Sequence, residues 1–281
     1  MNIWQAVILG GVQGFTEFLP ISSSGHLIFI PRIFGWADQG LAFDVVAHLG
    51  TFAAVVVYFR KKIMTLIRGF YTDDADNANK KLAWYIILSV IPAGLVGFLL
   101  GSRIEAYTRS AAVVAWSLIG WGIVLGIADY VSRKHENTPP PAGGVPPKAG
   151  KTQKHLFNLS WREALFIACA QAVALIPGTS RSGITMTAGL FSRLDKKSAA
   201  EFSFLMAIPV IALAGMYEMI QIVRNNVVIE QSDNLTIGFL AAALSGMLAI
   251  HLLMKIITRW SFMPFVVYRV AVGLAILLFL R

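Results

Sequence analysis

Residues 13–26 read Gln-Gly-Phe-Thr-Glu-Phe-Leu-Pro-Ile-Ser-Ser-Ser-Gly-His, and the sequence on either side is apolar. Residues 3–12 carry no charge, and residues 27–30 are wholly hydrophobic. A carboxylate (Glu17), three hydroxyls (Ser22, Ser23, Ser24) and an imidazole (His26) are thereby carried into a greasy environment. Neither flank reaches the roughly 20 apolar residues that a helix needs to cross a bilayer. Pro20 lacks a backbone donor and breaks a helix, and Gly25 permits a sharp turn. These facts predict a helix, a break and a second helix, entering and leaving the membrane on one face. Such a re-entrant loop is tolerated only where protein or water covers its backbone. Polar groups at that depth are costly, which marks the segment as a functional site.

The rest of the chain fits a polytopic membrane protein. Hydrophobic residues make up 56% and charged residues 14%, against about 25% charged in soluble domains. The net charge of +9 does not point to nucleic acid, because the basic residues sit in short loops beside apolar runs. Cys169 is the single cysteine, so an intrachain disulfide and a cysteine metal site are both excluded. The N-terminus has no basic region and no small-residue cleavage site, and it is not read as a cleaved signal peptide.

Three apolar spans follow the first break, at about 41–59, 82–101 and 111–131. Residues 132–159, rich in Pro, Gly and Lys, are expected to form a flexible cytoplasmic loop. The pattern then restarts. Residues 161–177 are apolar apart from Arg162, Glu163 and Gln171, and they break at Pro177-Gly178. Spans at about 200–223, 235–256 and 262–280 complete the chain. The expected fold is an all-α integral membrane protein of two inverted-topology repeats, about 1–131 and 160–281. Each repeat is a re-entrant helix-loop-helix plus three transmembrane helices. Aligning Pro20 with Pro177 sets Ser22-Ser23 opposite Thr179-Ser180, and Ser24 opposite Arg181. An odd number of crossings per half inverts one half relative to the other, and such folds carry their site near the midplane.

Positive charge sets the orientation. With the N-terminus outside, the inner loops hold Arg60-Lys61-Lys62, Lys80-Lys81, Arg133-Lys134 and Lys196-Lys197. The outer loops and ends keep only Arg32, Arg103, Arg109, Arg224 and Arg281. The first break then dips from outside and the second rises from the cytoplasm.

Candidate chemistry gathers at the two breaks. Gln13 and Glu17 share a helix face and together could ligate a divalent cation; alternatively, Glu17 caps its helix or pairs with Arg181. Ser22, Ser23 and Ser24 read as a helix cap or, beside Glu17 and His26, as a source of a hydroxyl nucleophile. Ser23 and His26 lie on one face of a helix starting near Ser22, so the imidazole could reach that hydroxyl as base or acid. Thr179, Ser180, Arg181 and Ser182 open a helix after Pro-Gly. Free N–H groups and a guanidinium fork there suit a phosphate, with Thr185, Ser22 and Ser24 adding hydroxyls. Asp44, His48 and Thr51, Glu201 and Ser203, and Tyr268-Arg269 are candidates to line or support the same cavity. Asp73, Asp74 and Asp76 read as solvated, His135 and His155 as loop residues, and His251 as packing.

At residues 13–26 and at 177–185 (Pro-Gly-Thr-Ser-Arg-Ser-Gly-Ile-Thr) the sequence resembles the bacitracin-resistance-type undecaprenyl-diphosphate phosphatase family. Residues 43–51, 201–209 and Tyr268-Arg269 extend the resemblance over nearly the whole chain. It implies hydrolysis of undecaprenyl diphosphate to undecaprenyl phosphate and inorganic phosphate, which recycles the lipid carrier of cell-wall synthesis and confers bacitracin resistance. It also implies a divalent cation (Mg or Ca), a multi-pass location in the bacterial cytoplasmic (inner) membrane, and a site open to the periplasmic side. Glu17, Ser23, His26 and Arg181 become the catalytic residues, with a cation at Glu17 and Gln13. Many members carry Glu where this chain has Gln13. The partners implied are a polyprenyl diphosphate and membrane lipids, with no nucleic acid; a homodimer is expected from the resemblance alone. Covalent attack by Ser23, a phosphohistidine and direct attack by water all stay open. The competing class is a transporter or flippase for a polyprenyl phosphate.

Overall fold

Caps and breaks decide where the helices run. Asn2 opens α1 (Ile3–Phe18) with a reciprocal bond to Gln5, a capping box, and the chain turns at Pro20 before α2 (Ser23–Phe34). Next come α3 (Leu41–Tyr58), α4 (Arg60–Arg68), α5 (Ala78–Leu88), α6 (Val90–Thr108) and α7 (Ala111–Glu136). After these lie α8 (Trp161–Val173), α9 (Arg181–Phe191), α10 (Lys196–Arg224), α11 (Ser232–Ile256) and α12 (Met263–Phe279). The structure is a computed structural model that describes residues 1–72, 77–108, 110–136, 153–225 and 232–279. Among these there is no sheet, only an isolated bridge between Lys154 and Leu194.

Among the described residues five stretches are long and apolar enough to cross a membrane: Leu41–Tyr58, Ala78–Gly101, Ala111–Lys134, Lys196–Arg224 and Ser232–Ile256. The sixth expected span is α12, an apolar helix of 17 residues, at the lower limit for a crossing, roughly 17–25 residues. The second span is interrupted. Ser89 ends α5, its hydroxyl donating to the Ile86 carbonyl at 2.6 Å, and Pro92 near the start of α6 cannot continue the ladder.

The expected flexible loop is narrower than its composition suggests. Residues 132–136 continue α7. Residues 153–159 are docked: Lys154 N–H donates to the Arg193 carbonyl at 2.8 Å, and Asp195 N–H to the Lys154 carbonyl at 3.0 Å. The Lys154 ammonium also meets Glu163 at 2.6 Å. Composition reports the Pro-rich run but not a backbone pairing with residues about 40 positions away. The Pro-rich run itself, within 137–152, lies outside the described residues, as do Asp73, Asp74 and Asp76.

The two halves interlock. Helix α1 packs along α11, α7 along α12 and α9, and α3 against α10 and α11. The α1–α11 approach requires glycine. A Cβ on Gly10 would lie 2.4 Å from the Gly238 carbonyl oxygen, and one on Gly14 would lie 2.2 Å from that of Ala242. Small residues of this kind let membrane helices come backbone to backbone. Beneath the first break, Phe18 and Phe59 both pack against Phe204.

The two breaks share a backbone conformation. Ser22 has φ 72°, ψ 96° and Ser180 has φ 70°, ψ 109°, a region that non-glycine residues rarely enter. In both, the serine hydroxyl lies 3.3 Å from that of the serine two residues on. Ser22 therefore corresponds to Ser180 and Ser23 to Arg181, one residue away from the alignment on the prolines. The second break holds an extra residue, Gly178 at φ 88°, between its proline and its cap. The common pattern is Ser-x-Ser-Gly, not the proline.

Candidate active site

Arg269 of α12 is fully buried and ties the two breaks together. Its Nε donates to the Leu118 carbonyl at 3.1 Å, and one terminal nitrogen donates to Pro20 at 3.3 Å. The other reaches the carbonyls of Ser117 (3.3 Å), Gly178 (3.2 Å) and Thr179 (2.9 Å). One guanidinium thus satisfies carbonyls of both breaks and of α7. Ser182 adds a bond from its hydroxyl to the Leu19 carbonyl at 3.0 Å.

Held in this way, the first residues of α2 and α9 converge on Glu17. Ser23 donates its hydroxyl to Glu17 Oε2 at 2.6 Å. Arg181 donates to Glu17 Oε1 at 2.9 Å and, from its other terminal nitrogen, to the Ser203 carbonyl at 3.0 Å. Gln13 Nε2 donates to Glu17 Oε2 at 3.2 Å, and His48 Nε2 stands 3.9 Å from the same oxygen. A cavity of about 400 Å³ opens over this cluster. Its polar lining includes Glu17, Ser22, Ser23, Ser24, Ser180, Arg181, His48, Gln171 and Glu218, against an apolar wall that includes Ala93, Leu175, Val210 and Ile211.

Several expected groups face elsewhere. Thr179 and Ser182 are buried and absent from the lining. Thr185 bonds to the Arg181 carbonyl (2.8 Å) and the Ser203 hydroxyl (2.7 Å), supporting the start of α9 from behind. Thr51 is spent on the His48 carbonyl, and Glu201 on Lys62 at 3.0 Å. His26 is turned away from Ser23: its Nδ1 meets the Ser22 carbonyl at 2.7 Å, and its Nε2 the Tyr268 hydroxyl at 2.6 Å. Its ring stacks on Tyr268. The face shared by residues 23 and 26 is real, but Glu17 outcompetes the imidazole for the hydroxyl. A carboxylate is the stronger acceptor.

The expected cation pair does not fit an ion as it stands. Glu17 already accepts from Arg181, Ser23 and Gln13, and a guanidinium on one of its oxygens repels a second cation. Gln13 presents a donor to Glu17 and does not line the cavity.

Two cavity residues were not singled out from sequence. Glu218 is a carboxylate inside an apolar helix, a signal that intramembrane cost alone could have raised. Gln171 was noted only as a polar interruption; its Nε2 donates to the Ser89 carbonyl at 3.2 Å.

Comparison with known proteins matches the family described as bacitracin resistance protein BacA over residues 6–275. The chain is 44% identical to undecaprenyl-diphosphatase 1 of Pseudoalteromonas translucida (strain TAC 125), over 100% of this chain and 99% of that one. It is 44% identical to undecaprenyl-diphosphatase 2 of Stutzerimonas stutzeri (strain A1501), over 99% and 98% of the two chains. With the undecaprenyl-diphosphatase of Aliivibrio salmonicida (strain LFI1238) the identity is 42%, over 100% and 99%.

Proposed function

The chain belongs to the bacitracin resistance protein BacA family, and from that premise we infer how its cavity works. It is an undecaprenyl-diphosphatase, an enzyme that hydrolyses undecaprenyl diphosphate to undecaprenyl phosphate and inorganic phosphate. The reaction recycles the lipid carrier of peptidoglycan synthesis and underlies bacitracin resistance.

Our reading of the mechanism rests on the 2.6 Å bond from Ser23 to Glu17. Arg181 spends two N–H groups on Glu17 and Ser203, and a guanidinium has five, so the remainder can hold the terminal phosphate. The free N–H groups at the start of α9 assist. Ser23 then attacks phosphorus in line, passing its proton to Glu17 Oε2. The Ser23 oxygen–phosphorus bond forms as the bond to the bridging oxygen breaks, and undecaprenyl phosphate leaves. Glu17 hands that proton to the departing undecaprenyl phosphate, then as a carboxylate takes a proton from the water that attacks the phosphoserine and returns it to the Ser23 oxygen as the serine oxygen–phosphorus bond breaks and phosphate leaves. We give the proton-accepting role to Glu17, and to His26 the fixing of Ser22 at the head of α2. Direct attack by water, with Ser23 only positioning the phosphate, uses the same residues without the phosphoserine. A transporter has no use for a hydroxyl held against a carboxylate in this way.

We also propose a divalent cation, Mg or Ca, that offsets diphosphate charge when bound. The topology proposed is two re-entrant hairpins, α1–α2 and α8–α9, in oppositely directed halves within the bacterial inner membrane. The cavity then opens to the periplasmic side. Matched Ser-x-Ser-Gly caps and the distribution of basic loops support it. Lipid tails would cover exposed residues such as Phe98 and Leu99, and a homodimer belongs to the same proposal.

The test is phosphate release from a C55 diphosphate by purified protein in detergent, with and without EDTA. Release that EDTA suppresses and that Ser23→Ala abolishes is expected. Equal release by Ser23→Ala would remove Ser23 from the reaction.

A further inference from the structure

Glu218 reaches the cavity from α10. It makes no hydrogen bond and no ion pair with any described residue; His48 and Asp44 lie within its electrostatic reach. A carboxylate left unpaired in a membrane-spanning helix is costly and implies a use. The charge balance suggests which use. Arg181 is the only Lys or Arg lining the cavity among the described residues, and Glu17 already neutralises it. A diphosphate brings several negative charges into this space, and Glu218 would repel it unless a cation lay between them.

A second observation points the same way. Gln171 is 2% exposed and lines the same cavity, yet its Oε1 has no partner. An amide oxygen is a neutral ligand for a hard cation. Among the described residues no three His, Cys, Asp or Glu side chains converge closely enough to hold an ion unaided. Mg is commonly bound through one or two carboxylates plus substrate phosphates, so a single cavity carboxylate and the diphosphate can share it.

We propose that Glu218, rather than the Glu17–Gln13 pair, is the carboxylate that holds the divalent cation at the cavity. The diphosphate's own oxygens complete the coordination shell, and the Gln171 amide supplies a neutral oxygen. The proposal rests on the diphosphatase reading. It makes cation and substrate bind as one complex, leaving Glu17 free to serve Ser23.

Mn2+ binding followed by electron paramagnetic resonance tests this, with methylenediphosphonate as a non-hydrolysable diphosphate. The parent should bind Mn2+ far more tightly with the diphosphonate than without it. Glu218→Gln should weaken that ternary binding at least about tenfold, the scale on which metal-site substitutions act. Glu218→Asp should retain most of it, and Gln13→Leu should leave it unchanged. A folded Glu218→Gln that binds Mn2+ like the parent would overturn the proposal. So would loss of binding in Gln13→Leu, an outcome that decides even if Glu218→Gln does not fold. The diphosphatase reading fails separately, if the parent releases no phosphate from a C55 diphosphate.

Discussion

Ser23 and Arg181 occupy the same position in two matching breaks, and each gives a hydrogen bond to a different oxygen of Glu17. Replacing Ser23 by Ala should abolish turnover while leaving substrate binding intact. Acid quench of the parent with substrate labelled at the terminal phosphate should leave label on the protein, and Ser23→Ala should lose it; label on His26 would make the imidazole the nucleophile. Arg181→Lys keeps the charge but cannot hold Glu17, Ser203 and a phosphate together. A charge-assisted hydrogen bond is worth roughly 1.5–3 kcal/mol, so kcat/KM should fall at least about tenfold, and unchanged kinetics would exclude Arg181 from the site. Glu17, Ser23 and Arg181 were legible in the sequence because rare polar groups in apolar runs name themselves. The partner of His26 was not, since Tyr268 lies 242 residues away and no local spacing connects them.

At the scale of elements, helix periodicity and proline breaks announce most of the helices, including the short pairs around Pro20 and Pro177. The register between the breaks was hidden because it depends on backbone conformation rather than residue type. Ser22 carries a positive φ without a side-chain cap bond to repay it. Such a conformation costs of order 1–3 kcal/mol in a non-glycine residue. Ser22→Gly should therefore raise the thermal midpoint in detergent while lowering kcat, because a looser cap aims Ser23 less well. A lower midpoint would show that the Ser22 hydroxyl stabilises more than its backbone costs.

At the scale of the whole molecule, inter-half packing fixes the site. Gly14 lies one turn before Glu17, and a Cβ there meets the Ala242 backbone, which no side-chain rotation can relieve. Gly14→Ala should destabilise by about 1–3 kcal/mol, typical of overpacking, and should cut activity by moving Glu17. Gly11→Ala, with nothing within 4 Å of its added carbon, is the matched control. Orientation is checked in a Cys169→Ala background. A cysteine at Ser232 should react with impermeant thiol reagents from outside, and one at Ala149 only after the membrane is opened. The reverse pattern would turn the cavity to the cytoplasm. The all-helical character and the five membrane-length apolar stretches among the described residues were legible from composition. The interlock of α1 with α11 was not, because glycine spacing does not name the helix it faces.

That interlock gives the protein a history within each round of synthesis. Glu17 and Arg181 are 164 residues apart, which at ribosomal speeds of about 5–20 residues per second is on the order of ten to thirty seconds. During that interval the carboxylate has no guanidinium, α1 has no α11 to lie against, and the Arg269 clamp has yet to be made. The first half must wait in the membrane as an unfinished surface. The Glu17–Arg181 contact has to await α9, and the Arg269 clamp on both breaks has to await α12.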